Sequence, residues 1–226
     1  MLRLFGVTAA TAIAGREINE ASAATPPACV VRPAQTEGPY FVDEKLNRSD
    51  IRSEPSDKST KAGVALRLEF RVSRIAGGAC APLTAAIVDI WHCDALGVYS
   101  DVRDAAFNTR GKKFLRGYQE TDPRGVAQFL TIYPGWYEGR AVHIHFKIRG
   151  TGRSARQQEF TSQLYFDESV TDQIFKQTPY SGKPGRRIMN DGDFIFRRDG
   201  KELLLAPAKT AQGRDIRHRP AGDLNR

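Results

Sequence analysis

Val64-Ala-Leu-Arg-Leu-Glu-Phe-Arg-Val72 decides the fold class. Val64, Leu66, Leu68, Phe70 and Val72 are apolar, while Arg67, Glu69 and Arg71 alternate with them. Period two is the signature of a strand with one buried and one wet face. Residues 141–149 repeat it, with Val142, Ile144, Phe146 and Ile148 on one face. Residues 85–91 read as a more buried strand and 126–132 as another. Residues 163–166, 194–197 and 203–205 are shorter strand candidates. Gly77-Gly78 and Pro82 mark a turn, and Asp199-Gly200 reads as a hairpin turn. Helical periodicity is weak, and residues 168–177 are the best short helix. The expected fold is all-β: a single β-sandwich domain with long loops and little helix.

The chain has 226 residues, enough for one large domain with a sizeable core. With 40% hydrophobic and 27% charged residues it is not collagen-like, low-complexity or a disulfide-dense miniprotein. The net charge of +8 is spread along the chain rather than clustered, so nucleic acid is not an expected partner. Arg3 precedes an apolar run over 4–14 that is too short to span a bilayer. Polar residues and the A-x-A pattern Ala21-Ser22-Ala23-Ala24 follow. That order resembles a secretory signal over 1–24; a disordered, Ala-rich end is the alternative. The expectation is a signal peptide, a domain over 25–206 and a basic tail over 207–226, either a surface arm or disordered. The mature protein is then periplasmic or secreted and does not enter the membrane; a cytoplasmic location is the alternative. Of three cysteines, Cys29 and Cys80 are a reasonable bridge in an oxidising compartment, against a reading of three unpaired thiols.

Chemistry begins at His143-Ile144-His145. On a strand these imidazoles lie on one side, about 6.7 Å apart along the chain, where two can reach one metal ion. The other two histidines lack such a partner: His92 reads as a strand residue with its own hydrogen bonds, His218 as tail. Glu138 is the one acid nearby, while Tyr133, Trp136 and Tyr137 lie just upstream. A phenol with a pKa near 10 ligates well only when a strongly Lewis-acidic ion holds it as phenolate. Ferric iron favours such oxygen, whereas zinc and ferrous iron usually take carboxylate. From these residues alone, a ferric site, a zinc site built on the His pair and a set of packed aromatics all remain open.

Four segments, taken together, resemble the intradiol ring-cleavage dioxygenases, ferric enzymes that open catechols between the two hydroxyls. They are Thr36-Glu-Gly-Pro-Tyr40-Phe41; Val88-Asp-Ile-Trp91-His-Cys-Asp-Ala-Leu-Gly97-Val-Tyr99-Ser100; Phe114-Leu-Arg-Gly117-Tyr-Gln-Glu-Thr121-Asp-Pro-Arg-Gly125; and Ile132-Tyr-Pro-Gly135-Trp-Tyr137-Glu-Gly-Arg140-Ala-Val-His143-Ile-His145-Phe146. Thr161-Ser-Gln163-Leu-Tyr165-Phe166 fits as a fifth. The resemblance implies Fe(3+) held by Tyr99, Tyr137, His143 and His145, with a hydroxide as fifth ligand. It implies that a catechol displaces Tyr137 while Tyr99 stays bound, and that Arg140 and Gln163 line the pocket, with Pro39 and Tyr40 in its wall. Catechol and O2 are then the substrates, and a cis,cis-muconate-type diacid the product. The chain is similar to protocatechuate-type subunits and short secreted relatives, and a homo-oligomer is left open. Cys93 is expected to point into the core, because a soft thiolate beside ferric iron invites redox chemistry. The competing function is a secreted β-sandwich binding module that has kept the fold and lost catalysis.

Overall fold

The computed structural model describes residues 32–76, 79–150, 159–205, 208–209, 216–218 and 221–223. The strands in chain order are β1 (Ala65–Ala76), β2 (Ala79–Pro82), β3 (Ile87–Trp91), β4 (Arg116–Glu120), β5 (Val126–Ile132), β6 (His143–Arg149), β7 (Glu159–Phe166), β8 (Leu204–Leu205), β9 (Ala208–Lys209), β10 (Ile216–His218) and β11 (Ala221–Asp223). Two short helices, α1 (Glu168–Phe175) and α2 (Phe194–Asp199), lie between β7 and β8.

The alternation in β1 sets up the first sheet. Leu66, Leu68, Phe70 and Val72 are buried, whereas Arg67 and Arg71 face solvent. β1 runs antiparallel to β5, with Ala65 opposite Ile132 and Arg71 opposite Val126. It also pairs with β2, and with β10 and β11 in parallel. Part of the tail thus extends this sheet, and His218 lies opposite Leu68. The second sheet has the order β4-β3-β6-β7-β8. Both sheets contribute to one apolar core, in which the Phe70 ring lies 5.3 Å from Phe146 and 5.9 Å from Phe129. β6 is buried on both faces: Ile144, Phe146 and Ile148 join the core, while His143 and His145 occupy the other side.

Three local readings change. Residues 194–197 form helix α2, not a strand, because the preceding Asp193 side chain caps the first turn. Gly200 continues into a 3-10 turn instead of a hairpin. A Cβ there would lie 2.4 Å from the Phe196 ring, so this glycine permits close packing. Ala85 has a positive φ of 58°, and β3 starts only at Ile87. The expected helix over 168–177 is α1, which ends at Phe175. Cys80 is disulfide-bonded and Cys93 is a free, buried thiol; Cys29 lies outside the described residues, as do residues 1–24, where a signal peptide is expected. Among the described residues, no helix is long and apolar enough to cross a membrane.

Candidate metal centre

β6 presents its histidines at one end of the second sheet. His143 lies opposite Tyr165 on β7, and His145 lies between Gln163 on β7 and Trp91 on β3. The Trp91 ring stacks on His145 at 5.0 Å and 5°. His143 Nδ1 donates to the Ala141 carbonyl at 2.7 Å, which makes its Nε2 the acceptor nitrogen. That Nε2 lies 3.0 Å from Nε2 of His145. Two nitrogens bound at right angles to one ion, each about 2.1 Å from it, stand about 3.0 Å apart. Gly38 has a φ of 70°, a conformation that favours glycine, and a Cβ there would press on His145 Cε1 at 3.2 Å where the 36–40 segment crosses this ring.

The tyrosines come from two loops locked backbone to backbone. Asp94 Oδ1 accepts from the N–H groups of Leu96 and Val98, each at 3.0 Å, and its carbonyl accepts from Gly135 N–H at 3.1 Å. A Cβ on Gly135 would lie 2.4 Å from the Ala95 carbonyl oxygen, and one on Gly97 2.1 Å from that of Trp136. This contact brings Tyr99 and Tyr137 together, ring centroids 5.5 Å apart and planes 77° apart. Buried Arg116 pins the Tyr99 side: its Nε donates to Ser100 Oγ at 2.8 Å, Nη2 donates to the Ser100 carbonyl, and Nη1 donates to the Tyr40 carbonyl at 3.1 Å. Tyr99 is fully buried, and its hydroxyl has no hydrogen-bond partner of ordinary geometry. Tyr137 is half-buried, and its hydroxyl donates to His143 Nε2 at 3.2 Å.

The electrostatics are those of an uncharged donor set in a dry place. Burial depresses His143 to about 3, assisted by the charge of Arg140. Burial and the neighbouring His143 hold His145 well below the usual imidazole range. Burial pushes Tyr137 up to about 12 against the pull of Arg140, and holds Tyr99 well above the usual phenol value. Among the described residues, no three His, Cys, Asp or Glu side chains cluster, and Glu138 is exposed. Two imidazoles and two phenols therefore fit a hard trivalent ion that can hold phenolates, and not a carboxylate-bound zinc. The buried Tyr99 hydroxyl, which lacks a partner, belongs to this set; His145 Nδ1, on the far side of its ring, lacks one as well. Cys93 packs with Trp91 and Tyr99, and burial keeps its thiol protonated.

Beside the donors, Arg140 Nη2 donates to Gln163 Oε1 at 2.6 Å, and Gln163 Nε2 donates to the Thr36 carbonyl at 2.9 Å. Arg140 Nε donates to Asp193 at 2.9 Å. Tyr40 stacks on Tyr99 at 4.5 Å and donates to Asp104 at 2.6 Å, whereas Pro39 is exposed in the adjoining turn. Reading the sequence missed Tyr165, Asp193 and Asp104. Tyr165 lay inside a segment already singled out, and Asp193 carried the signal of an acid preceding a helix. Nothing local marked Asp104.

A family model described as Dioxygenase matches residues 36–186. The chain belongs to the intradiol ring-cleavage dioxygenase family. Among solved members of this family, the intradiol ring-cleavage dioxygenase of Tetranychus urticae superposes with a TM-score of 0.74 at 30% identity, over 87% of this chain and 95% of that one. The dioxygenase domain of a carbohydrate-binding fusion from Streptomyces sp. SirexAA-E gives 0.58 at 29% identity, over 87% and 100%. Chlorocatechol 1,2-dioxygenase of Pseudomonas putida is 26% identical over 156 residues, 57% of this chain and 56% of its own length. Catechol 1,2-dioxygenase 2 of Acinetobacter lwoffii is 32% identical over 136 residues, 53% and 47%. The chain thus spans about half the length of the curated relatives it matches.

Proposed function

We propose that this chain opens a catechol-type ring between its two hydroxylated carbons, adds both atoms of O2 and releases a cis,cis-muconate-type diacid. The cofactor in this reading is ferric iron held by Tyr99, Tyr137, His143 and His145. When bound, it supplies a Lewis acid that takes up the catecholate and makes its ring receptive to oxygen. The observation that carries the reading is the meeting of two imidazole Nε2 atoms, 3.0 Å apart, with a phenol oxygen 3.2 Å from one of them. The catechol and chlorocatechol dioxygenases among the relatives support the substrate class.

The residues divide the work. Tyr99, enclosed and braced through Ser100 and Arg116, is the fixed phenol. Tyr137, half-buried on the second loop, is the phenol that yields its place and takes a catechol proton on its own oxygen. Arg140 lies close enough to Tyr137 to lower its pKa, and stabilises negative charge as a fixed donor in a dry site. Gln163 holds the guanidinium, and Tyr40 offers a flat aromatic wall beside Tyr99. The two sheets over one core are read as a single β-sandwich domain over 25–206. The disulfide at Cys80 supports export to the periplasm or beyond.

Oxygen uptake by the ferric protein with a panel of catechols tests the proposal. One O2 consumed per catechol, with the absorbance of a ring-opened diacid, is the expected result. A fully iron-loaded protein that consumes no oxygen with any catechol favours the binding module instead.

A further inference from the structure

Asp193 has more partners than a helix cap requires. Its side chain has 0% exposure, and its two oxygens serve different neighbours. Oδ1 accepts from the N–H groups of Ile195 at 2.8 Å and Phe196 at 3.4 Å, which caps α2. Oδ2 accepts from Arg140 Nε at 2.9 Å and from the Ala141 N–H at 2.9 Å. The carbonyl of the same Ala141 accepts from His143 Nδ1 at 2.7 Å. One oxygen therefore reaches the pocket cation directly and the metal-facing imidazole through a single residue. A cap needs one acceptor, and Ser or Asn supplies it as well as Asp. The second oxygen is left without a purpose in α2.

Resting on the ferric dioxygenase reading above, we infer that Asp193 is a positioning residue that orients the Arg140 guanidinium and the His143 ring together. Asp193 on Nε and Gln163 on Nη2 fix the guanidinium plane from two sides. Arg140 lies in the segment just before β6, so the same carboxylate also fixes how the chain enters the strand that carries both histidines. Groups that orient a ligating imidazole from behind typically change metal affinity or activity by about 10- to 100-fold when removed.

Asp193→Asn separates the two duties. An amide keeps Oδ1 as the cap acceptor and turns an NH2 donor against the Arg140 and Ala141 donors. Asp167→Asn, at the N-cap of α1, is the control for a cap alone. Three quantities are compared on the ferric protein: kcat with catechol, the rate at which a chelator strips iron from the resting protein, and Tm. The expected result for Asp193→Asn is a kcat lower by about 10- to 100-fold and iron loss faster by about 10-fold or more, with Asp167→Asn unchanged in both. Removing the carboxylate also strands a buried cation, so the substitution is repeated on Arg140→Gln, which removes that charge. There iron loss still accelerates relative to Arg140→Gln alone, through Ala141 and His143. A kcat and an iron-loss rate within twofold of wild type, or equal iron loss with and without Asp193 in the Arg140→Gln background, overturns the inference. A wild-type protein that neither holds ferric iron nor turns over catechol overturns the functional reading and this inference with it.

Discussion

The apolar core shared by the two sheets and the donor cluster at the end of β6 both draw on burial, yet are opposite in what it does for them. In the core, Phe70, Phe129 and Phe146 bring only carbon, and among the described residues no buried polar side-chain atom lacks a partner there. In the donor cluster, burial strips water from two imidazoles and two phenols and leaves the Tyr99 hydroxyl and His145 Nδ1 without hydrogen bonds. Each such orphan typically costs about 1–3 kcal/mol, and the apolar core offsets it. β6 joins the two regions, with its alternate side chains packing on one side and serving chemistry on the other. Changes on its two faces should therefore act on different observables.

Tyr137→Phe presses hardest on that separation. Turnover should fall by about 100- to 10,000-fold, read by oxygen uptake, while Tm moves only a few degrees and the visible band weakens. Normal turnover would mean that another phenol yields to the substrate. Phe146→Ala is the converse. Chemical denaturation should show a loss of about 3–5 kcal/mol, with an unchanged band per folded molecule. His92 tests the border between the regions, since it donates to the Cys93 carbonyl and accepts from Thr131 Oγ1, each at 2.7 Å. Burial holds its pKa at about 4, against 6.5 when free. The unfolded chain takes up this proton first, so its contribution is complete above pH 6.5 and lost as pH falls toward 4. The difference amounts to about 3 kcal/mol. In the metal-free protein, the fall of Tm over that range should be shallower for His92→Gln than for wild type. The smallest effect belongs to Asp167→Ala at an exposed position, which removes the α1 cap and about 1 kcal/mol with kcat unchanged.

Sequence pattern revealed the parts of this division that depend on short-range order. Period two located β1 and β6, and placed the histidines opposite the apolar face of their strand. The same signal failed at residues 194–197, where an apolar run too short to distinguish strand from helix was decided by the Asp193 cap. The Asp199-Gly200 turn signal failed as well, since Gly200 answers to the Phe196 ring and not to a hairpin. Of the site, the imidazole pair was readable from spacing, whereas Tyr99 and Tyr137 were assigned only through resemblance to a family. Their meeting depends on the contact of Gly97 and Gly135 with the opposing loop, which joins segments distant in sequence. Asp193 and Asp104 act across similarly long separations, on Arg140 and Tyr40, and leave no periodic trace.

Titration of the metal-free protein with ferric iron, followed in visible light, tests the central claim most directly. The expected result is saturation at one iron per chain, with a tyrosinate charge-transfer band that shifts when catechol is added without oxygen. Iron that binds without colour, or a band left intact in a protein carrying both Tyr99→Phe and Tyr137→Phe, would contradict it.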